Sequence, residues 1–300
     1  MIEAVGITKK FDEIKAVDNV SIKIEEGRVF GLIGTNGAGK STFLRIASGV
    51  FKQDAGKITI DGEEIYENPG IKKSFFFIPD DMFFFSNGTP DEMAVFYSGI
   101  YPAYDMGRFK KLMNSFELEP YRKINTFSKG MKKQLAIILG LSAMTKYMYC
   151  DETFDGLDPV MRQAVKSLFA ADIAERGFTP VIASHNLREL EDICDSVGLL
   201  HHGGMLLSED IDDMKSDIHK IQFVPNKSGE EASYRNRLKI LNEESRGSLV
   251  TLTVRGDKDM IVDILKESEP VFLEVLPLSL EEIFISETGV EGYDIKKLLF

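Results

Sequence analysis

The chain of 300 residues is long enough for one large α/β domain and a smaller appendage, and its 43% hydrophobic and 28% charged residues are typical of a globular protein. The formal net charge of −12 argues against nucleic acid as a partner, because a phosphate backbone requires concentrated Lys and Arg. No apolar run reaches the roughly 18 residues of a membrane span, and the opening MIEAVGITKKFDEIK lacks the apolar core of a signal peptide.

The first part of the chain contains strand patterns. Apolar and polar residues alternate in residues 1–27, most clearly over Val20–Gly27, which predicts half-buried strands. Arg28–Ile33 (RVFGLI) is typical of a short buried strand, and a Gly-rich loop and an apolar helix follow it. Further on, GKITIDGEEI predicts a strand with a tight turn at Asp61-Gly62.

The Gly-rich loop carries a phosphate-binding motif. GTNGAGKST (Gly34–Thr42) fits G-x-x-x-x-G-K-[ST] between a predicted strand and a predicted helix. Its glycines let backbone N–H groups approach phosphate oxygens, and the helix N-terminus adds partial positive charge. We expect Lys40 to reach the β- and γ-phosphates and Ser41 to bind Mg²⁺. The other expected nucleotide contacts are Gly34, Asn36, Gly37, Ala38, Gly39 and Thr42. The alternative is a Gly-rich turn with a chance lysine.

Residues 87–145 form a mainly helical stretch in the sequence. Met, Phe and Leu recur there at helical spacing, which predicts a helical subdomain inserted between two strands of a sheet. Its most apolar run, Leu135–Met144, has the length of a core helix rather than of a membrane span.

Two adjacent carboxylates end the next apolar run. Tyr147–Cys150 is typical of a buried strand, and Asp151 and Glu152 follow it directly. Unpaired buried charge is costly, so these groups need a cation or a water molecule as partner. We expect Asp151 to hold Mg²⁺ and Glu152 to polarise an attacking water. The alternative is a solvated loop of helix caps, a role that suits Asp158.

The rest of the chain continues to alternate and then changes character near Ser216. A helix is expected from Pro159 to Gly177, followed by the strand TPVIAS, the helix HNLRELEDICD and a hairpin that turns at Gly203-Gly204. His201 and His202 in this hairpin are expected to have no chemical role. The two cysteines, Cys150 and Cys194, lie far apart and predict reduced, buried thiols in a cytosolic protein.

The segment FSKGMKKQLAIILG (Phe127–Gly140) carries the resemblance to a known family. It resembles the signature loop of ABC transporter nucleotide-binding subunits, with Ser128 and Gly130 at the phosphate-contacting positions. The resemblance covers roughly residues 1–215 and includes the phosphate loop and the acidic strand end in the same order. The segment departs from the usual Leu-Ser-Gly-Gly-Gln at the first, third and fifth positions. Without the family it is a helix start with an N-cap serine.

The resemblance implies roles for further residues. Phe11 matches the aromatic residue that stacks on adenine, although taken alone it is a core residue. His185, after VIAS, matches the switch histidine that hydrogen-bonds the γ-phosphate, and DGLD (Asp155–Asp158) resembles the loop through which two subunits touch. Asp80 stands where the family usually has Gln. A carboxylate there is expected to meet Mg²⁺ or its water, but it cannot donate a hydrogen bond when ionised.

Six phenylalanines surround Asp80 in FFFIPDDMFFF (Phe75–Phe85). Burial preference favours a place in the core. The alternative is an exposed aromatic patch that receives a short helix from a membrane subunit, as the family's coupling groove does.

The predicted fold class is α/β, because strands that alternate with helices imply a mostly parallel sheet. In detail it is a RecA-like P-loop NTPase core with an antiparallel β subdomain and an inserted helical subdomain, plus a small C-terminal α+β appendage. The predicted domains are residues 1–216, with the helical subdomain at about 87–145, and residues 217–300.

The implied function is that of an ATP-binding and ATP-hydrolysing subunit on the cytoplasmic face of the cell membrane, with a separately encoded membrane-spanning permease as partner. A second ATP-binding subunit, either a copy or a related paralogue, is expected to supply Ser128 and Gly130 to the ATP site that Lys40 and Glu152 begin. ATP would close this dimer and hydrolysis would reopen it. The appended domain resembles the C-terminal extensions of exporter ATPases.

Three other interpretations stay open. A soluble ABC-type ATPase acting on ribosomes or DNA usually has two motif sets or a long coiled coil. A nucleotide-gated regulatory module without turnover gains some weight from Asp80 and from the departures in the signature. A P-loop kinase would need an acceptor lid, which nothing in the sequence resembles.

Overall fold

The computed structural model describes residues 1–226 and 234–290, with the backbone alone for 287–290, and it divides into two compact units. The first unit is Met1–Ser208, and the second begins at Glu209. The boundary between the units therefore lies earlier in the chain than residue 216, where the sequence pattern predicts it. The reason is the helix Ile211–Asp217, which packs on elements of the second unit.

The first unit contains two sheets and a group of helices. Its strands are β1 (Ile2–Phe11), β2 (Ile14–Ile24), β3 (Phe30–Ile33), β4 (Ala55–Ile60), β5 (Glu63–Glu64), β6 (Phe75–Ile78), β7 (Tyr147–Asp151), β8 (Thr179–Ser184), β9 (Ser196–His201) and β10 (Gly204–Asp210). Its helices are α1 (Lys40–Ala47), α2 (Pro90–Ile100), α3 (Met106–Ser115), α4 (Lys129–Ser142), α5 (Pro159–Arg176) and α6 (Leu187–Glu191).

The central sheet has the strand order β10-β9-β3-β8-β7-β6. β3 pairs in parallel with β8 and β9, and β7 pairs in parallel with β6 and β8, which confirms the mostly parallel core. Parallel strands end at the same edge, so the loops after β3, β6, β7 and β8 meet there. The sequence pattern misses β6 because this four-residue strand is a short run of phenylalanine and isoleucine without alternation.

The second sheet of this unit is antiparallel, in the order β2-β1-β4-β5. The alternation over residues 1–27 is explained by its inner face, where Ile2, Ala4 and Ile22 are buried. These residues pack in one core with α1 and with Tyr149 of the central sheet. The predicted turn between β4 and β5 is confirmed, since Asp61 and Gly62 both have positive φ.

Helices α2, α3 and α4 lie between β6 and β7 in the chain, as the sequence predicts. Thr89 begins α2 with a reciprocal capping box to Glu92. Ser128 caps α4 by accepting a hydrogen bond from the Met131 N–H at 3.1 Å. The C-terminal part of α4, residues 135–142, is buried, which confirms a core helix.

The segments that follow differ from prediction at two points. Helix α5 has its predicted bounds, but α6 is shorter than HNLRELEDICD, because the chain turns after Glu191 and brings Cys194 under Gly31. The β9–β10 hairpin turns at His202-Gly203 rather than at Gly203-Gly204. His202 and Gly203 carry the two positive φ angles that a tight hairpin requires, and Gly204 already begins β10.

The second unit combines one sheet with helices, which agrees with the predicted α+β class. Its elements are α7 (Ile211–Asp217), β11 (Ile218–Val224), β12 (Lys239–Arg246), β13 (Leu249–Arg255), α8 (Lys258–Lys266), β14 (Phe272–Leu276) and α9 (Leu280–Val290). The antiparallel order is β12-β13-β11-β14, that of a split β-α-β arrangement. The sequence pattern misses β12, which is mostly exposed and charged. Residues 227–233 and 291–300 of the predicted domain 217–300 lie outside the described residues.

Each described helix is either too short or too polar to cross a bilayer.

Candidate functional site

The phosphate loop forms one wall of a groove of about 470 Å³. The loop joins β3 to α1, and Gly39 at the start of α1 has a φ of 105°. A Cβ at Gly39 would overlap the carbonyl oxygen of Ala16, so only glycine allows this close approach. The other walls of the groove come from Ile14, Lys15, Ala16, Asp80, Glu152 and His202.

Lys40 is the first residue of α1, and its side chain turns back into the loop. Its side chain is 4% exposed, and its Nζ donates to the carbonyl oxygens of Gly34 at 2.7 Å and Thr35 at 3.3 Å. Nζ also pairs with Glu152 Oε1 at 3.0 Å. The loop therefore holds a buried positive charge at a helix N-terminus, an arrangement that suits phosphate.

Ser41 and Asp151 come together although they are far apart in the chain. Ser41 Oγ donates to Asp151 Oδ1 at 2.9 Å, and Asp151 is fully buried at the end of β7. Burial raises the pKa of the Asp151 carboxyl; the Ser41 hydrogen bond opposes this, and the charges of Glu152 and Asp80 add to it.

Asp151 Oδ2 has no hydrogen-bond partner within the described residues. A buried carboxylate oxygen without a donor fits a bound cation. The hydroxyl of Ser41 and the carboxylates of Asp151 and Asp80 are oxygen donors of the kind that hard divalent cations prefer.

Glu152 and His185 form a pair at the same sheet edge. His185 Nδ1 lies 2.9 Å from Glu152 Oε2 and 3.4 Å from Asp155 Oδ2. Burial raises the pKa of the Glu152 carboxyl, but the charge of Lys40 and the hydrogen bonds from its neighbours outweigh burial, so this pKa lies below its ordinary value. Glu152 has a φ of 47°, unusual for a residue with a Cβ, and its N–H donates to the Ala183 carbonyl at 2.9 Å.

Lys133 of α4 is a site residue that sequence reasoning missed. Its Nζ donates to the backbone carbonyls of Glu152 at 2.6 Å and Asp155 at 2.7 Å. The lysine thereby ties the signature helix to the loop after β7. A lysine in the middle of a helix gives no local signal of this contact.

Ser128 and Gly130 lie at the start of α4, away from the phosphate loop of their own chain. Gly130 approaches the carbonyl of Gly156, close enough that an added Cβ would lie 3.5 Å from it. Ser128 is exposed. Neither Ser128 nor Gly130 is among the described residues that line the groove around Lys40.

Phe11 lies at the tip of the β1–β2 hairpin rather than in the core. It is 41% exposed, and its ring packs edge-on against Phe51 with centroids 5.5 Å apart. Its cross-strand partner Ile14 is exposed and lines the groove. The hairpin tip thus presents an apolar surface at the mouth of the groove.

His202 also lines the groove, although the sequence pattern predicts no chemical role for it. The turn that carries it is fixed to the phosphate loop, since Gly203 N–H donates to the Ala38 carbonyl at 3.1 Å. The Gly203 carbonyl in turn accepts from the Asp18 N–H at 2.8 Å. His202 differs from the prediction because the hairpin turn that carries it lies one residue earlier than predicted.

The phenylalanines around Asp80 differ in exposure. Phe75 and Phe76 are buried, as burial preference predicts, whereas Phe83 is 70% exposed. Phe83 packs on Phe85 at 6.0 Å, and Phe85 packs on the exposed Phe96 of α2 at 5.0 Å. We call Phe83, Phe85 and Phe96 the aromatic surface.

Comparison with known proteins identifies ABC transporter ATP-binding proteins as relatives. The sequence model of the ABC transporter family matches residues 17–155. The ABC transporter ATP-binding protein YtrB of Bacillus subtilis is 32% identical over 289 residues, which cover 96% of this chain and 98% of YtrB. The bacitracin transport ATP-binding protein BcrA of Bacillus licheniformis is 30% identical over 72% of this chain and 71% of its own.

Solved structures share the fold. The ATP-binding subunit of an ABC transporter aligns with a TM-score of 0.66 at 24% identity, over 72% of this chain and 92% of its own. A dimeric ATP-binding cassette bound to ADP and Pi, in a post-hydrolysis state, aligns with a TM-score of 0.63 at 23% identity, over 70% of this chain and 99% of its own.

Proposed function

The chain belongs to the ABC transporter family as an ATP-binding subunit, and from this premise we propose that its groove binds and hydrolyses ATP to power a separate membrane-spanning permease. The contact between Ser41 and Asp151 is the observation that carries the proposal. It joins the phosphate loop to the acidic strand end and leaves one buried Asp151 oxygen for a cation.

Lys40 and the loop N–H groups bind the β- and γ-phosphates. The Lys40 ammonium donates to loop carbonyls and pairs with Glu152. Phosphate oxygens compete for that ammonium and leave the Glu152 carboxylate available to accept a proton from the attacking water. His185 is exposed at the same edge, and its imidazole hydrogen-bonds the γ-phosphate.

Ser41, Asp151 and Asp80 would hold Mg²⁺. When bound, this cation neutralises charge that develops on the phosphate oxygens. Asp80 is exposed and lines the groove, so its carboxylate replaces the usual amide as an oxygen donor but not as a hydrogen-bond donor.

A second ATP-binding subunit completes the site. Ser128 and Gly130 stand at the N-terminus of α4, where a hydroxyl and backbone N–H groups suit a γ-phosphate held by another chain. The resulting dimer has two shared sites, and ATP closes it by binding the closed state more tightly than the open one. Phe11 stacks on the base at the mouth of the groove.

The permease docks on the aromatic surface, which brings the subunit to the cytoplasmic face of the membrane. An exposed cluster of large rings, on α2 and on the loop before it, suits a short amphipathic helix from a membrane protein. The C-terminal α+β unit supports the assignment of the chain to an exporter-like subfamily. In cells, Phe83→Ser should reduce the fraction of the chain that sediments with membranes, whereas Tyr121→Ser, at another exposed ring, should not. Equal sedimentation of both variants would remove this surface as the docking site.

Steady-state ATPase measurements test the catalytic proposal. Glu152→Gln should bind ATP and lose turnover by about a hundredfold or more, the contribution of a general base. Lys40→Ala should lose ATP affinity, and His185→Ala should slow hydrolysis while it keeps binding. Glu175→Gln, an exposed control on α5, should behave as wild type. Unaltered turnover of Glu152→Gln would remove Glu152 as the base, and ATP binding without hydrolysis by the wild type would favour a regulatory module.

A further inference from the structure

A second groove, of about 370 Å³, lies between α5 and α6. No described residue lines both this groove and the nucleotide groove. Lys40, Glu152 and His185 are not among its lining residues, so a ligand bound there is no reactant in ATP hydrolysis. The volume lies within the range of about 300–1,000 Å³ that is typical of small-molecule sites.

Glu189 of α6 is an enclosed acid that lines this groove. Its side chain is 9% exposed, and Oε1 accepts a hydrogen bond from Arg162 Nη1 at 2.9 Å. Its other oxygen, Oε2, is also buried and has no hydrogen-bond partner in the part of the chain that the structure describes. A buried carboxylate oxygen without a donor costs free energy. An ammonium group of a ligand in the groove would remove this cost.

The positive groups of the groove belong to α5. Arg162 and Lys166 both line it, and they share a face of α5 because they are four residues apart. Arg162 gives Nη1 to Glu189, and its other N–H groups have no acceptor among the described residues. Lys166 is half-buried and makes no ion pair within the same residues. Two cations with donors to spare suit a ligand carboxylate.

The remaining lining decides between ligand classes. Arg188 and Asp192 are exposed and add one charge of each sign, so the groove keeps both signs. A ligand with only a negative charge would leave Glu189 Oε2 without a donor, and one with only a positive charge would leave Lys166 without an acceptor. The groove also has apolar lining, from Phe154, Pro159 and Ile193.

We propose that this groove binds a free α-amino acid with an apolar side chain. The α-ammonium donates to Glu189 Oε2, and the α-carboxylate accepts from Lys166 and Arg162. The side chain covers the apolar lining. The site is separate from the nucleotide site, and its occupant is an effector of the subunit and not a reactant.

Calorimetric titration of the full chain with L-leucine tests the proposal. L-Leucine should bind with one-to-one stoichiometry. Leucinamide lacks the carboxylate and 4-methylpentanoate lacks the ammonium, and each should bind about tenfold more weakly or worse, because each loses one charge-assisted contact. No heat of binding from L-leucine up to about 10 mM would overturn the proposal, and so would equal affinities for the three compounds.

Variants place the ligand in the groove. Glu189→Gln and Lys166→Met should each lower the affinity for L-leucine about tenfold or more. Glu175→Gln on α5 and Lys110→Met on α3 make the same chemical changes at exposed positions and should bind L-leucine as the wild type does. If both groove variants keep the wild-type affinity, the ligand lies elsewhere and the proposal is wrong. The comparison of the three compounds needs only the wild type, so it stands even if a variant does not fold.

A final variant separates the two grooves. Lys40→Ala should keep the wild-type affinity for L-leucine whether or not it loses ATP, because Lys40 lines only the nucleotide groove. Loss of L-leucine binding by the folded Lys40→Ala protein would place the amino acid in the nucleotide groove and contradict a separate site.

Discussion

Lys133 offers a sharp prediction, because its side chain joins α4 to the loop after β7. Lys133→Met keeps the apolar stem of the side chain and removes the ammonium that donates to the carbonyls of Glu152 and Asp155. Lys132→Met makes the same chemical change at the adjacent position of α4 and serves as the control.

The structure gives the size of the effect. A hydrogen bond from a charged donor contributes about 1.5–3 kcal/mol, and the loss of both bonds should therefore lower the free energy of unfolding by about 3 kcal/mol. The decrease in hydrolysis rate should be proportionally larger than the decrease in the free energy of unfolding. Displacement of a reacting group by about 1 Å costs about a hundredfold in rate, and Glu152 loses the anchor that fixes its backbone.

Two assays measure these effects. Urea unfolding should be followed by far-ultraviolet circular dichroism, because the chain has no tryptophan. Single-turnover hydrolysis reports the chemical step. Equal unfolding midpoints and equal hydrolysis rates for Lys133→Met and Lys132→Met would show that the Lys133 ammonium has no such role.

Three further predictions concern nucleotide binding and stability. Phe11→Ala should weaken ATP and ADP binding equally, by about 1–3 kcal/mol, and unchanged dissociation constants would refute base stacking. Gly39→Ala should lower ATP affinity more than Gly37→Ala, because both glycines have positive φ but only at Gly39 does an added Cβ meet the backbone; equal losses in titration calorimetry would contradict this. Asp172→Ala should lower the urea midpoint by the equivalent of about 3 kcal/mol, since it leaves two arginines of a buried ion-pair cluster without their carboxylate. The exposed Glu175→Ala should change stability by less than about 0.5 kcal/mol, and an equal loss in both variants would remove the ion pairs as its cause.

Local sequence predicts those parts of the fold whose requirements lie within a few consecutive residues. The phosphate loop is one such part, because its glycines and Lys40 occur in one short run between a strand and a helix. The bounds of α5 are another, because Asp158, Pro159 and Gly177 mark its ends by their own conformational preferences.

Contacts between distant segments leave no signal in the local sequence. Nothing near Lys133 in the chain indicates that its ammonium reaches the loop after β7. A shift of one residue in the β9–β10 turn changes which side chain faces the groove, and this is why His202 was missed. The β12 strand has an exposed, charged sequence, so its place is set by pairing with β13 and not by its own pattern.

The central claim is that each ATP site is divided between two chains, and the solution mass of the trapped protein tests it most directly. Glu152→Gln should be monomeric without nucleotide and dimeric with ATP and Mg²⁺ in size-exclusion chromatography with light scattering. Adding Ser128→Arg should preserve ATP binding and abolish the dimer, whereas adding Ser115→Arg on α3 should leave the dimer intact. A trapped complex that stays monomeric with ATP bound, or a dimer that survives Ser128→Arg, would contradict the account.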